Sequence, residues 1–339
     1  MKKNLNRYDR QTKLLEVGII GQEKLQKAKV LIVGIGGLGC PASQYLAAAG
    51  VGTIGLMDQD KVDISNLHRQ ILFSENHLGK PKVLAAKERL LAMNSNVKIK
   101  IYEAMLTANN SMELFADYDL IIDGTDNFQS KYLIDDTALK TNKPWIYAST
   151  YRHQGQLSVF NYQNGPTYRC LFPKTPSNNV SCEEMGVLGV LPGILGTWQA
   201  AEALKIILGL KTVISGRLKI MDLLTLKEQE IRFERNEEKV REILNRPLQV
   251  QETHCEIKSG RFYLDVREPH EMPHATTLAI LRIPLNQLAM QHANIPKNQE
   301  VYVFCQSGLR SKTAIQLLET EFGFNNLINV DGGIQTLKI

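Results

Sequence analysis

Two short stretches of the chain hold residue types whose spacing could do chemistry. The first opens with Gly34-Ile-Gly36-Gly37-Leu-Gly39, a GxGxxG turn. Glycines in that pattern allow a tight turn, a close approach of backbone amides to a phosphate, and close packing of helix on strand. A helix N-terminus that follows such a turn favours an anion. By itself the turn suits the pyrophosphate of a dinucleotide as well as the triphosphate of ATP. Asp58 stands where a ribose-binding carboxylate is needed, and both nucleotides need one. The next residues separate the two readings. KVDISNLHRQILFSENHLGKPK supplies Asn66, Arg69, Gln70 and Lys82. Hydride transfer has no use for an arginine and a lysine beside the ribose site. Cleavage of a triphosphate does, because charge builds on the phosphates in the transition state. Each cation taken singly is equally compatible with a solvated surface charge. The second stretch is Cys305-Gln-Ser-Gly308-Leu-Arg310-Ser311. It follows the apolar run VYVFC and precedes a helical pattern. Loop amides, a helix N-terminus and an arginine there would all stabilise a thiolate.

The elements that must position these residues alternate. KVLIVG (29–34) is a β-branched apolar run, as expected of a strand buried on both faces. A helix (PASQYLAAAG) ends at Gly50, and TIGLMD is the next strand. Residues 80–93 read as a helix, VKIKIYEA and YDLIIDGTDN as strands, KYLIDDTALKTN as a helix, and PWIYAST and GQLSVFNY as strands. Such alternation predicts an α/β fold, a parallel sheet with helices on both faces. Charged, irregular sequence at 236–255 reads as a linker. A small α/β pattern then restarts with RFYLDVREP. The expected division is a first domain over 1–240, a linker over 241–257 and a second domain over 258–339.

Composition narrows the partners. The chain has 339 residues, 43% of them hydrophobic, and a net charge of +5 that is not gathered into a basic block. Nucleic acid is therefore not expected as a partner. The most apolar stretch, LGVLPGILGTWQAAEALKIILGL, is interrupted by Pro192, Glu202 and Lys205 and reads as a buried helix pair rather than a membrane span. No apolar run follows the N-terminal lysines, so no signal peptide is expected. Five widely spaced cysteines (Cys40, Cys170, Cys182, Cys255 and Cys305) contain no CxxC pair and suit a reducing, cytoplasmic setting.

Read together, RYDRQ (7–11), GIGGLG, DQDKVDISNLHRQ, GKPK and DGTDN (123–127) closely resemble the adenylating enzymes that activate ubiquitin-like proteins, in particular the MoeB/ThiF/HesA group. The resemblance spans roughly residues 5–235. It implies a Rossmann-like fold whose glycine loop (Gly36, Gly37) binds ATP. It further implies that Asp58 binds the ribose, that Asn66, Arg69 and Lys82 contact phosphates, and that Asp126 holds Mg2+. Asp126 also fits a helix N-cap. Arg10 would reach the ATP of the other subunit of a homodimer, although locally it reads as a surface ion pair. The reaction implied is adenylation of the C-terminal Gly-Gly of a ubiquitin-like sulfur carrier of a molybdopterin or thiamine type. Cys182, in a segment similar to the family's crossover loop, would become linked to the carrier or serve as an inert thiol. Many members bind zinc through two CxxC pairs; only Cys170 stands where these would be, so no zinc is expected.

Residues 258–339 resemble rhodanese domains, through LDVREP, the Cys305–Arg310 loop and NVDGGI. Four residues between Cys305 and Arg310, against five in related phosphatases, give a smaller loop that suits sulfur. The resemblance implies that Cys305, Gly308 and Arg310 take sulfur from a persulfide donor. A degenerate domain used only for docking, and a non-catalytic carrier-binding scaffold, are the alternatives.

Overall fold

A computed structural model describes residues 7–173 and 186–248, and in the C-terminal part residues 255–256, 261–269, 271, 280–306, 308, 310–330 and 333–338. The chain forms two compact units, Met1–Val250 and Gln251–Ile339.

In the first unit, the short helix α1 (Asp9–Thr12) and α2 (Gly18–Lys27) precede β1 (Lys29–Val33), α3 (Gly39–Ala49), β2 (Thr53–Met57), α4 (Lys82–Met93), β3 (Lys98–Tyr102) and α5 (Ala108–Ala116). There follow β4 (Leu120–Asp123), α6 (Phe128–Lys140), β5 (Trp145–Tyr151), β6 (Gln154–Phe160), α7 (Tyr168–Leu171), α8 (Val190–Leu208), β7 (Arg217–Asp222), β8 (Glu228–Arg232) and α9 (Glu237–Asn245). The strands make one sheet in the order β3-β2-β1-β4-β5-β6-β7-β8.

The central strands are buried on both sides because every residue of their apolar runs has a core to enter. On β1, Val30 and Ile32 join a cluster with Leu46, Val83, Leu90, Leu195 and Ala203 from α3, α4 and α8. Leu31 and Val33 point the other way, to Phe115, Ile134, Trp145 and Phe160. Complete burial of a side chain of this size stabilises by about 1.5–3 kcal/mol. The pairing β1–β2, β1–β4, β2–β3 and β4–β5 is parallel, in register Val30↔Ile54 and Val30↔Leu120. The order therefore reverses at β1, which opens a crevice at the carboxyl ends of β1 and β4.

Three features depart from the sequence-based expectation. The sheet is mixed: β5–β6, β6–β7 and β7–β8 are antiparallel. Its outer strand β8 is exposed along its whole length. The apolar stretch at 190–208 is one 19-residue helix, not a pair, because Pro192 falls in its first turn, where no intrahelical N–H bond is lost. No described helix is long and apolar enough to cross a membrane. Finally, residues 237–245 are helical rather than linker. Asn236 caps α9, its Oδ1 accepting from Lys239 N at 3.0 Å, and Val240 and Ile243 pack on Leu139 of α6. Arg246 then donates to Asp136 Oδ2 at 2.8 Å, fastening the segment beyond α9.

In the second unit, β10 (Phe262–Asp265), β11 (Ile280–Arg282), β12 (Val301–Phe304) and β13 (Leu327–Asn329) form a parallel sheet in the order β11-β10-β12-β13. Helix α10 (Arg310–Phe322) lays Ala314 and Leu318 against Leu264, Val301 and Val303. A small parallel pair, β9 (Cys255–Glu256) with β14 (Leu337–Lys338), lies apart from this sheet.

Candidate functional site

The glycine turn joins β1 to α3. Gly34 has φ +91°, a conformation that strains any other residue, and a Cβ there would lie 2.7 Å from the backbone of Gly124. Gly39 lets α3 close on the strand: a Cβ would lie 2.0 Å from Gly34 O. Gly36 differs from both. Its Cβ would meet nothing nearer than Gln70 Nε2 and Gly124 O, each at 3.9 Å. The space above Gly36 is thus free for a ligand to touch the backbone, as a phosphate cradle requires. Gly37 faces Pro192 and the Arg69 side chain.

Asp58 is tied directly to this loop. Its Oδ2 accepts from Ile35 N at 2.7 Å and its Oδ1 from Asp60 N at 2.8 Å. Burial pushes its carboxyl above the usual range, against the pull of Lys82. Lys82, the first residue of α4, is buried and donates to Asp60 Oδ2 at 2.9 Å. Burial works against its ammonium, but Asp58 and Asp60 outweigh that cost and hold its pKa above the ordinary value. A lysine so placed stays charged next to the crevice. Arg69 is half-buried and donates to Ser65 O at 3.0 Å; Asn66 closes the short turn Ile64–Asn66. Asp126 lies two residues past Gly124, is exposed, and is not the N-cap of α6. Asn127 is that cap, its Oδ1 accepting from Ser130 N at 2.8 Å. The structure therefore brings Gly36, Gly37, Asp58, Asn66, Arg69, Lys82 and Asp126 to the carboxyl end of the sheet. Arg10 lies elsewhere in the sequence, exposed on α1.

One contributor, Gln70, was named from sequence without a role, and another, Lys131, escaped the sequence reading. Gln70 is buried beside Gly36, and its Oε1 has no hydrogen-bond partner among the described residues. Lys131 is buried and donates to Asp123 Oδ2 at 2.6 Å, Thr125 O at 2.9 Å and Ala148 O at 3.1 Å. Asp123 also receives Thr125 N at 2.9 Å and Thr125 Oγ1 at 2.6 Å. This network fixes the turn that carries Asp126. Its signal was present in the sequence, as a lysine eight residues after an aspartate at a strand end, but a helix face accounts for it equally well.

Of the cysteines, Cys40 is sealed under the glycine turn, and burial pushes its thiol up to about 12. Cys170 is half-buried, with Asn236 N at 3.3 Å from its Sγ. Among the described residues no cluster of three or more His, Cys, Asp or Glu could hold a metal. Cys182 lies outside the described residues.

Cys305 directly follows β12 and is fully buried. Gly308 N donates to its Sγ at 3.1 Å, and Ser311 Oγ lies 3.7 Å away at the start of α10. Arg310, the first residue of α10, interacts electrostatically with Cys305 and is also paired with a carboxylate. Its two terminal nitrogens each donate to one oxygen of Glu271, both at 2.6 Å. Sequence could not reveal this pair, whose partners stand 39 residues apart.

A model of the ThiF family matches residues 8–242, and one of the rhodanese-like domain matches residues 249–338. The chain is 44% identical over 242 residues to a sulfur carrier protein adenylyltransferase of Thermus thermophilus, covering 69% of this chain and 89% of that protein. It is 36% identical over 353 residues to a probable molybdopterin-synthase adenylyltransferase of Porphyra purpurea, covering 97% and 92%. With the adenylyltransferase and sulfurtransferase MOCS3 of Xenopus laevis it shares 46% over 229 residues, 67% of this chain but only 51% of that protein. Among solved structures PaaA aligns at a TM-score of 0.60 and 24% identity, over 70% of this chain and 75% of PaaA. That likeness speaks to the fold alone.

Proposed function

Because the chain belongs to the ThiF family and carries a rhodanese-like domain after the family segment, we propose that it adenylates the C-terminal Gly-Gly of a small ubiquitin-like sulfur carrier and supplies sulfur to the product. The observation that carries this reading is the open backbone over Gly36, flanked by Asp58 and by the buried, charged Lys82. The carrier's terminal carboxylate attacks the α-phosphate of ATP, the bond to the bridging oxygen breaks, pyrophosphate leaves, and an acyl-adenylate remains. Little covalent help is needed, so positioning and charge do most of the work. Asp58 orients the ribose through its hydroxyls. Arg69 and Lys82 neutralise charge on the leaving pyrophosphate, and Asn66 contacts the phosphates. The exposed carboxylate of Asp126, unspent on capping, fits a Mg2+ that would add positive charge to the phosphates. Arg10 acts from the second subunit of a homodimer.

Sulfur arrives through the domain of residues 258–339. There Cys305 takes sulfur as a persulfide, its thiolate held by the Gly308 amide and the N-terminus of α10. A tethered persulfide raises the local sulfur concentration around a short-lived adenylate. Cys182 is proposed as an acceptor thiol for the carrier. The free thiols at Cys40, Cys170 and Cys305 suit a cytoplasmic setting. Carrier-dependent exchange of labelled pyrophosphate into ATP tests the adenylation. Absence of exchange with every Gly-Gly carrier supplied overturns it.

A further inference from the structure

A donor that brings sulfur on an oxyanion head, such as thiosulfate, needs a cation to seat its oxygens. Among the described residues, the two arginines beside the Cys305 loop are each paired with a carboxylate. Arg310 forks onto both oxygens of Glu271 at 2.6 Å. Arg267 forks onto both oxygens of Asp265, at 2.9 and 2.8 Å, and reaches Gln306 Oε1 at 3.3 Å. The Gly308 amide points at the sulfur itself. Two parallel charge-assisted bonds are the strongest way to hold a guanidinium, and they match the geometry in which it would bind an oxyanion. Glu271 thus sits in the seat that a sulfonate would use. Each partner favours the charged form of the other: Arg310 holds the Glu271 carboxyl below its usual range, and Glu271 raises Arg310.

We propose that Glu271 is a specificity residue that, by occupying Arg310, selects against oxyanion-headed sulfur donors and leaves Cys305 to persulfides borne on thiols. This rests on the sulfur-transfer reading above. With a persulfide, the Cys305 thiolate attacks the outer sulfur of R–S–SH. The Cys305–sulfur bond forms, the donor's S–S bond breaks, and the donor leaves as R–S⁻ while the proton stays on the transferred sulfur. No oxyanion has to be seated. With thiosulfate the same attack expels sulfite, which takes the electron pair of the broken S–S bond. That dianion must be held before and after the step, and Glu271 repels it while blocking its seat. Neither route involves net oxidation or reduction.

The test uses the full chain and reads the gain of one sulfur at Cys305 by mass spectrometry, with thiosulfate or cysteine persulfide as donor. Glu271→Gln should lower the thiosulfate concentration for half-maximal loading about tenfold, the scale of one partly exposed ion pair, and leave loading by cysteine persulfide unchanged. The gain should shrink at high salt and vanish in the double variant Glu271→Gln/Arg310→Gln, which separates freed charge from a loosened loop. Glu271→Ser gives the same readout should the glutamine disturb folding. Loading from cysteine persulfide with an unchanged thiosulfate dependence in both single variants overturns the inference alone. A chain that loads from neither donor overturns the sulfur-transfer reading and this inference with it.

Discussion

Replacing Gly36 by alanine separates a glycine kept for a ligand from one kept for packing. The new methyl would have 3.9 Å of clearance to Gln70 Nε2 and to Gly124 O, and Gly36 is not among the glycines with positive φ. Stability should therefore stay within about 0.5 kcal/mol of wild type, or rise by up to about 1 kcal/mol through the stiffer unfolded chain. A phosphate needs the Gly36 backbone at hydrogen-bond distance, about 2.9 Å, and the methyl would occupy that approach. Losing one or two hydrogen bonds to a charged group, at about 1.5–3 kcal/mol each, weakens ATP binding by about tenfold or more. Gly39→Ala is the control. Its methyl would fall 2.0 Å from Gly34 O, so the turn itself must move and the fold should lose several kcal/mol, on the scale of about 1–3 kcal/mol or more for overpacking. Urea denaturation reads the first quantity, and the ATP-induced rise in melting temperature reads the second. A Gly36→Ala chain that folds normally and binds ATP like wild type would refute the cradle.

Asp126→Ala should cost about 2–4 kcal/mol of transition-state stabilisation in pyrophosphate exchange while its melting temperature holds, since Asn127 does the capping; undiminished exchange would remove the metal role. Inactive Arg10→Ala mixed with inactive Asp126→Ala should recover part of the activity through hybrid sites, and failure to recover despite demonstrated subunit exchange would contradict a role in trans. Cys305→Ala should abolish sulfur loading yet leave exchange intact, and Cys182→Ala should spare exchange but slow thiocarboxylate formation; a loss of exchange in either would tie that thiol to adenylation. Asp135, buried against Trp145 Nε1 and the amides of Tyr168 and Arg169, has its carboxyl pushed by burial up to about 6. Between pH 4 and 6 the folded state then holds a proton that the unfolded state has released, so stability falls across that window by on the order of 2–3 kcal/mol and levels off above it. Denaturation midpoints of Asp135→Asn against wild type should show that slope disappearing, and parallel profiles would argue that Asp135 is ionised throughout.

The parallel half of the sheet could be read from the chain because its signals are local. β1 and β4 are runs of residues buried on both faces, and the glycine turn marks the switch point between them. Other parts were hidden because their causes lie between distant segments. β7 pairs antiparallel with β6, and β8 with β7, through ladders that no local period announces. Helix α9 has its cap at Asn236 and acids at Glu237 and Glu238, yet the density of charge around Val240 and Ile243 masked a face of only two apolar residues. For the candidate site, residue types and spacing named the groups at the crevice. They could not show that Lys82 is buried and shared between two aspartates, that Gln70 is buried beside Gly36, or that Arg310 is committed to a carboxylate.

The exposed outer strand β8 has a consequence for how the molecule behaves in a crowded solution. Its backbone offers unpaired donors and acceptors to any extended chain that drifts alongside. Its side chains answer with charge: Glu228, Glu230 and Arg232 line it, and Lys219 and Arg217 of β7 reach across to Glu228 and Glu230. A ninth strand would have to strip water from these ions without new partners for them. The opposite border, β3, presents Lys98 and Lys100 in the same manner. A ribbon with ions along both hems does not stitch to its neighbours, and the sheet stops growing at eight strands.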